Sequence, residues 1–172
     1  MEFKELTPAQ VITTRDFPVH SAEVLQRYFE IYRRGENDGL PPVPLMHKDL
    51  VVPHFDETTG DLFQEYIRQN PQAEYFLLNG SHRTTSANLT RNMIKGMFLR
   101  TEEDIRLARQ IKFNGQPYQH GLLDSIIGNI RDLIEHFRGT ELFETVQQKT
   151  DRMVDERTMP QHMIEHYRNN PR

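Results

Sequence analysis

One continuous stretch decides the fold class: Tyr75-Phe76-Leu77-Leu78-Asn79-Gly80-Ser81-His82-Arg83-Thr84-Thr85-Ser86. The apolar run at its start is typical of a buried strand. Gly80 marks a turn after it, because glycine accepts backbone conformations with positive φ that other residues avoid. The residues from Thr84 to Lys95 are compatible with a helix. The stretch therefore predicts a strand, a tight turn and a helix in succession, the unit from which α/β proteins are built.

Further helices and strands are predicted on both sides of this stretch. Ser21 precedes apolar residues at helical spacing and Gly35 follows them, which predicts a helix over 21–34. Residues 43–46 predict a short strand in which Pro44 suits the edge of a sheet or a first position. The remaining elements are a strand at 50–55, a helix at 61–69, a strand at 97–100 and a helix opened by a capping box at 101–104. This order predicts a mixed α/β fold with flanking helices.

The sequence changes character after Asn114. Apolar residues recur at helical spacing from Leu122 to Phe137, Gly139 follows as a stop signal, and two more helices are predicted after Thr140 and over 161–167. We therefore divide the chain into an α/β domain, residues 1–113, and a helical C-terminal extension, residues 114–172. The apolar stripe of the extension is expected to lie in a core or to form a homodimer surface.

Composition narrows the classes of function. The chain has 172 residues, of which 36% are hydrophobic and 27% charged, as in ordinary globular proteins. It contains no cysteine, which excludes disulfides, thiolate nucleophiles and thiolate metal sites. The formal net charge of −4 disfavours nucleic acid as a partner. No apolar run has the length of a membrane span and the start lacks a signal peptide, so we expect a cytoplasmic protein without a membrane partner.

The turn around Gly80 has the chemistry of a phosphate site. The first N–H groups of a helix have no intrahelical partner and carry partial positive charge, so a phosphate accepts several hydrogen bonds there. Gly80 would leave room for a ligand, and the planar guanidinium of Arg83 would hold a phosphate through two bonds. The candidate phosphate-binding residues are Gly80, Ser81, His82, Arg83, Thr84 and Thr85. The same pattern also occurs at strand–helix joints that bind no ligand.

The region from about Leu6 to Arg109 resembles the ParB/sulfiredoxin-like superfamily. The resemblance rests on the helix at 21–34, on the strand entry Gly39-Leu40-Pro41-Pro42-Val43-Pro44-Leu45, and on Leu78-Asn79-Gly80-Ser81-His82-Arg83-Thr84-Thr85-Ser86-Ala87. In that superfamily a G-x-x-R turn binds nucleotide phosphates, and here the turn is Gly80-Ser81-His82-Arg83. The resemblance implies a mixed sheet with flanking helices that binds ATP, ADP or another nucleotide.

Three branches of the superfamily differ in their turns. Sulfiredoxins have Gly-Cys-His-Arg, and because Ser81 stands in the cysteine position their thiol chemistry is excluded here. Partition-type ParB proteins continue into a DNA-reading helix-turn-helix, but no basic recognition helix follows Arg109. The free-serine kinases have Asp-Gly-His-His-Arg, of which Gly80, His82 and Arg83 are matched while Asn79 replaces the Asp.

The resemblance to these kinases implies a small-molecule kinase that phosphorylates a hydroxyl group. His82 and Glu23 are then the candidate general bases, and Asn79 and Asp16 the candidate Mg²⁺ ligands, since Mg²⁺ prefers oxygen donors. Glu23 has a second interpretation, because an acidic residue in the first turn of a helix stabilises that helix. The alternative function is a non-catalytic, nucleotide-sensing or DNA-associated interaction domain.

Overall fold

The protein is a mixed α/β structure in which helices flank a twisted sheet. The structure, a computed structural model, describes residues 1–13, 21–113, 115–118 and 121–170. The strands described are β1 (Glu2–Leu6), β2 (Val11–Thr13), β3 (Val43–His47), β4 (Tyr75–Leu77), β5 (Ile94–Phe98), β6 (Lys112–Phe113), β7 (Gln116–Pro117) and β8 (Glu144–Thr145). The helices described are α1 (Ala22–Arg33), α2 (Lys48–Val51), α3 (Glu57–Gln69), α4 (Ser81–Leu89), α5 (Glu102–Ala108), α6 (Ile126–Phe137), α7 (Val146–Asp155) and α8 (Gln161–Asn169). The predicted fold class, a mixed sheet with flanking helices, is confirmed.

Six strands form the main sheet, in the order β1-β5-β3-β4-β2-β8, and β6 and β7 form a separate hairpin. The strand of residues 43–46 lies inside this sheet, so of the two places predicted for Pro44, the edge of a sheet or a first position, the edge is wrong. Pro44 is tolerated because it pairs only towards β5, opposite Met97, while the ladder with β4 begins at Leu45. The missing N–H of Pro44 therefore falls outside the β4 ladder, and its carbonyl still accepts a hydrogen bond from the N–H of Leu78 at 3.1 Å.

Alternating residues of the strands enter two hydrophobic cores, one on each face of the sheet. On one face Ile12, Met46 and Phe76 pack against the apolar sides of α2, α3, α5 and α6. On the other face Val11 and Leu45 pack against α1, α4 and α7. Both faces are thus covered, which is the arrangement expected of an α/β fold.

Helix α4 lies between the sheet and an outer layer of helices. Its Ala87 packs in the core on the sheet, whereas its Leu89 packs in a third cluster with residues of α1, α7 and α8. Every residue from Arg83 to Leu89 is buried. The hydroxyl of Ser86 donates to the carbonyl of Leu25 in α1 at 3.2 Å, so even the polar residues of α4 are used in packing.

The segment after residue 113 contributes to the same cores as the segment before it. Strand β8 pairs with β2 in antiparallel register, with Ile12 opposite Thr145. Phe137 and Phe143 belong to the core that contains Phe76. The C-terminal extension is therefore not purely helical, and its apolar stripe from Leu122 to Phe137 is mainly core. The domain boundary at 113/114 and the homodimer stay predictions.

Several local predictions need correction. Residues 50–55, predicted as a strand, form the end of α2 and a 3-10 turn at Val52–His54. The imidazole of His47 accepts a hydrogen bond from the N–H of Asp49 and so opens this helix. Helix α4 ends at Leu89, six residues before the predicted end, because the next strand begins at Ile94.

Within the described parts of the chain, no helix combines the length and the apolar character needed to traverse a bilayer.

Candidate functional site

The candidate site lies where β4 turns into α4. Gly80 is the N-cap of α4 and has φ +107°, in the region that favours glycine. A β-carbon at Gly80 would lie 2.6 Å from Cγ1 of Val43 and 3.1 Å from Nη2 of Arg83. The space beside Gly80 is therefore filled by the protein, and the expectation that this glycine leaves room for a ligand is wrong. Glycine is required here by its backbone conformation and by its contact with Val43.

Arg83 lies almost entirely inside the protein, with 1% of its surface exposed. Its Nη1 donates to the carbonyl of Pro41 and, at 3.3 Å, to that of Pro42. Its Nη2 is also buried and has no hydrogen-bond partner within the described residues. Because Nη1 is occupied by backbone carbonyls, a two-bond grip on a phosphate through Nη1 and Nη2 is not available in this arrangement. Only Nη2 has unused donor capacity among the two amino groups.

Two tyrosines, Tyr118 and Tyr32, lie near this guanidinium. The ring centre of Tyr118 lies 5.0 Å from the central carbon of the Arg83 guanidinium, a cation–π contact. Burial raises the pKa of Tyr118, as does a hydrogen bond with Tyr28, and the guanidinium acts in the opposite direction. Burial likewise raises the pKa of Tyr32 to about 12 against the influence of Arg83. The phenols thus stay neutral near pH 7, and the positive charge of Arg83 is not balanced by them.

The other predicted phosphate ligands occupy the first turns of α4. Ser81, Thr84 and Thr85 are all buried. The hydroxyl of Thr84 donates to the carbonyl of Ser81 at 3.1 Å, so this hydroxyl serves the helix itself. His82 is half-buried, and neither His82 nor Ser81 is without an interaction partner. Gly80, as the N-cap, has no side chain to offer the first N–H groups of α4, and no acidic residue lies in the first turn of this helix.

Of the two predicted metal ligands, the structure describes Asn79 but not Asp16. Asn79 is half-buried beside the turn, and its Nδ2 lies 2.7 Å from the position that a β-carbon of Gly121 would occupy. Gly121 therefore lies against the side chain of Asn79. Asp16 lies outside the described residues. Within the described ranges, no group of three or more His, Asp or Glu side chains is placed to hold a metal ion.

Glu23 is found on the outside of the protein. Its side chain is 85% exposed, and Oε1 lies 3.5 Å from Nη2 of Arg27, one turn along α1. Glu23 is also the acidic residue in the first turn of α1. These contacts support the helix-stabilising interpretation of Glu23, and none of them connects it to the turn at Gly80.

Sequence reasoning missed the residues that surround Arg83. Tyr118 lies 35 positions further along the chain, and no local pattern links it to the turn. Lys149 of α7 was also missed, although its side chain is 1% exposed and α7 packs against α4. Lysine is rarely buried to this degree without a partner, and Lys149 has one. In the sequence, the burial of Lys149 was indicated only by its position on the same helix face as the apolar residues Val146 and Met153.

Comparison of the chain with family models, with curated proteins and with solved structures gave no match. The fold and the site by themselves define an α/β protein in which a glycine turn opens a buried polar helix. A buried arginine, Arg83, lies at the positive end of that helix.

Proposed function

We propose that this chain is a nucleotide-binding protein whose α4 N-terminus receives phosphate. The observation that carries the proposal is the buried Nη2 of Arg83, which has no hydrogen-bond partner within the described residues. Leaving a buried charged donor unpaired costs about 1–3 kcal/mol or more, so such groups usually have a role. Nη2 lies 3.1 Å from the β-carbon position of Gly80, at the end of the helix where backbone N–H groups attract anions.

The proposed ligand is ATP, ADP or another nucleotide, with Mg²⁺ bound to its phosphates. This choice rests on the resemblance of Gly80-Ser81-His82-Arg83 to the G-x-x-R turn of the ParB/sulfiredoxin-like superfamily. Arg83 is 1% exposed, so a phosphate reaches Nη2 only when a neighbouring group moves. Tyr118 is the neighbour we expect to move, because it belongs to the chain after the two-residue strand β7.

We further propose that the protein transfers a phosphoryl group from the nucleotide to a small hydroxylated substrate. His82 is the base for that reaction, since Glu23 faces solvent. Asn79 offers one oxygen to Mg²⁺. The contacts of the described residues support nucleotide binding. Nucleotide binding is therefore tested before phosphoryl transfer.

The test is nucleotide binding by wild-type protein and by a variant with a negative charge at the turn. Isothermal titration with ADP and ATP, with and without Mg²⁺, should detect binding by wild type. His82→Glu should weaken it about tenfold or more, because a carboxylate repels phosphate while remaining favourable for the helix. Gln161→Glu is the matched control, since it adds the same charge to the exposed first turn of α8.

Each result bears on the proposal. Binding by wild type and Gln161→Glu, but not by His82→Glu, supports a phosphate site at α4. Absence of binding by folded wild type at millimolar nucleotide would overturn it. A phosphorylated product formed from a panel of hydroxylated amino acids in the same samples would extend binding to a kinase.

A further inference from the structure

A second concave site lies at the opposite end of α4, about 13 Å from the turn by the length of a nine-residue helix. The cavity has a volume of about 490 Å³ and lies where the ends of α1, α4 and α8 meet. Arg33 and Arg34 line it from α1, Arg91 from the turn after α4, and His166 from α8. Tyr32, which lies near Arg83, also lines the cavity, whereas neither the three arginines nor His166 belong to the site proposed above.

The charge of this cavity is strongly unbalanced. Three guanidinium groups line it, and Glu30 is the carboxylate that pairs with two of them. Glu30 Oε2 lies 2.7 Å from Nη2 of Arg33 but 3.9 Å from Nε of Arg34, so Arg33 takes most of its charge. Arg34 is 61% exposed and, of the three arginines, is the most available to a ligand. The cavity therefore keeps an excess of positive charge.

Arg91 is held in place before any ligand arrives. It adopts φ +62°, a conformation uncommon for residues other than glycine. Its Nε and Nη2 donate to the carbonyls of Asn170 and Tyr167 at 2.6 and 2.9 Å, and its guanidinium lies 3.7 Å from the centre of the Tyr167 ring. A guanidinium has five N–H groups, so this arrangement leaves donors for a ligand.

Helix dipoles alone do not account for this arrangement. A cation at a helix C-terminus is stabilising, which explains Arg33 at the end of α1 and Arg91 beside the end of α8. It does not require that three guanidinium groups face one cavity. Because Arg91 already occupies terminal carbonyls of α8, the negative end of that helix is partly neutralised. The C-terminal ends of α1 and α4 also lie at this cavity, so the arginines must outweigh the partial negative charge of three helix ends for an anion to bind.

We propose that this cavity binds a multiply charged, phosphate-bearing small molecule. The volume exceeds that of a single phosphate and falls in the usual range of small-ligand sites, about 300–1,000 Å³. Arginine is the side chain best suited to phosphate, because its planar fork donates two parallel hydrogen bonds. Arg34 supplies such a fork from α1 and Arg91 from the turn after α4, and Arg33 adds charge.

Inorganic pyrophosphate is the probe. Isothermal titration is carried out in the His82→Glu background, which removes the proposed site at the α4 turn, so the two proposals are tested separately. Pyrophosphate should still bind in that background. Adding Arg33→Gln and Arg34→Gln should weaken binding about tenfold or more, since both substitutions remove charge-assisted hydrogen bonds to the phosphate. Arg68→Gln is the control, because Arg68 is also exposed and pairs with a glutamate three residues before it, as Arg33 does.

Each result of the pyrophosphate titrations either supports or overturns the proposed cavity site. Loss of binding in the Arg33→Gln/Arg34→Gln variant, with retention in Arg68→Gln, supports the site, and both variants should stay folded because all three arginines are exposed. Equal affinity of both variants for pyrophosphate, or no binding to folded His82→Glu protein, overturns it. A single-stranded oligonucleotide that binds far more tightly than pyrophosphate, with a steep dependence on salt, also overturns the small-molecule assignment in favour of nucleic acid.

Discussion

The guanidinium of Arg83 lies under the ring of Tyr118, at 5.0 Å, and so connects the first turn of α4 to the chain that follows β7. The same guanidinium holds the carbonyls of Pro41 and Pro42. Three segments that are distant in sequence thus meet at one buried charge. The stability of this region and its capacity to receive a ligand both depend on that charge.

The contact between Tyr118 and Arg83 should be measurable as a cation–π interaction. Tyr118→Phe keeps the aromatic face but loses the hydrogen bond with Tyr28, whereas Tyr118→Leu loses both. We expect Tyr118→Leu to lower the free energy of unfolding by about 1 kcal/mol more than Tyr118→Phe. Urea unfolding followed by circular dichroism measures the difference. Equal stability of the two variants would show that the ring face contributes nothing.

Gly80→Ala should destabilise the protein more than Gly35→Ala does. Both glycines have positive φ, +107° and +72°, but only Gly80 has neighbours where the methyl group would lie. Gly35→Ala should cost about 1–2 kcal/mol from backbone strain alone. Gly80→Ala should cost about 1–3 kcal/mol more, because its methyl group would overlap Val43. Thermal unfolding of Gly35→Ala, Gly80→Ala, Val43→Ala and Gly80→Ala/Val43→Ala tests this, and Gly80→Ala should cost less stability in the Val43→Ala background than in wild type.

Asp104 should make the protein sensitive to acid. Burial tends to raise the pKa of this carboxyl, but hydrogen bonds from the backbone N–H of Arg100 and of Thr101, and from the Thr101 hydroxyl, outweigh it and lower the pKa. A carboxyl whose pKa is lowered by folding stabilises the protein above its unfolded pKa of about 3.9. That stabilisation is lost as the pH falls through the lower, folded pKa.

The measurement for Asp104 is the free energy of unfolding from about pH 2 to about pH 7, a range that spans the unfolded pKa. Asp104→Asn should be less stable than wild type near neutral pH and should lose less stability on acidification. Thr101→Ala is the companion variant, expected to cost about 1 kcal/mol as an N-cap. Parallel pH profiles of wild type and Asp104→Asn would contradict the assignment.

The fragment of residues 1–113 should not fold cooperatively by itself. It would lack β8, which pairs with β2, and it would expose Phe63 and Phe76, which contact Phe143 and Phe137 at ring distances of 5.0 and 5.3 Å. Loss of one buried phenylalanine already costs about 3–5 kcal/mol, comparable with the total stability of many domains. Circular dichroism and urea unfolding of the fragment test this expectation. A sharp unfolding transition would instead establish residues 1–113 as an independent domain.

Local signals in the sequence predicted the elements whose structure depends on neighbouring residues. The side chain of Ser21 accepts a hydrogen bond from the N–H of Val24, as its place before α1 predicts. Thr101 and Asp104 form the expected capping box of α5. The run from Tyr75 enters a buried strand, and Gly80 has the positive φ that the turn required. These features need only residues within a few positions of one another.

By itself, the sequence determined the mixed α/β class, the turn at Gly80 and the capped starts of α1 and α5. Only the tertiary structure decided that Pro44 lies inside the sheet, that β8 joins β2, and that Glu23 faces solvent. It also decided that Arg83 turns inward to the carbonyls of Pro41 and Pro42. The physical reason is the range of the interactions. Caps and turns arise between close neighbours along the chain, whereas strand order and the burial of a charge depend on contacts between residues tens of positions apart.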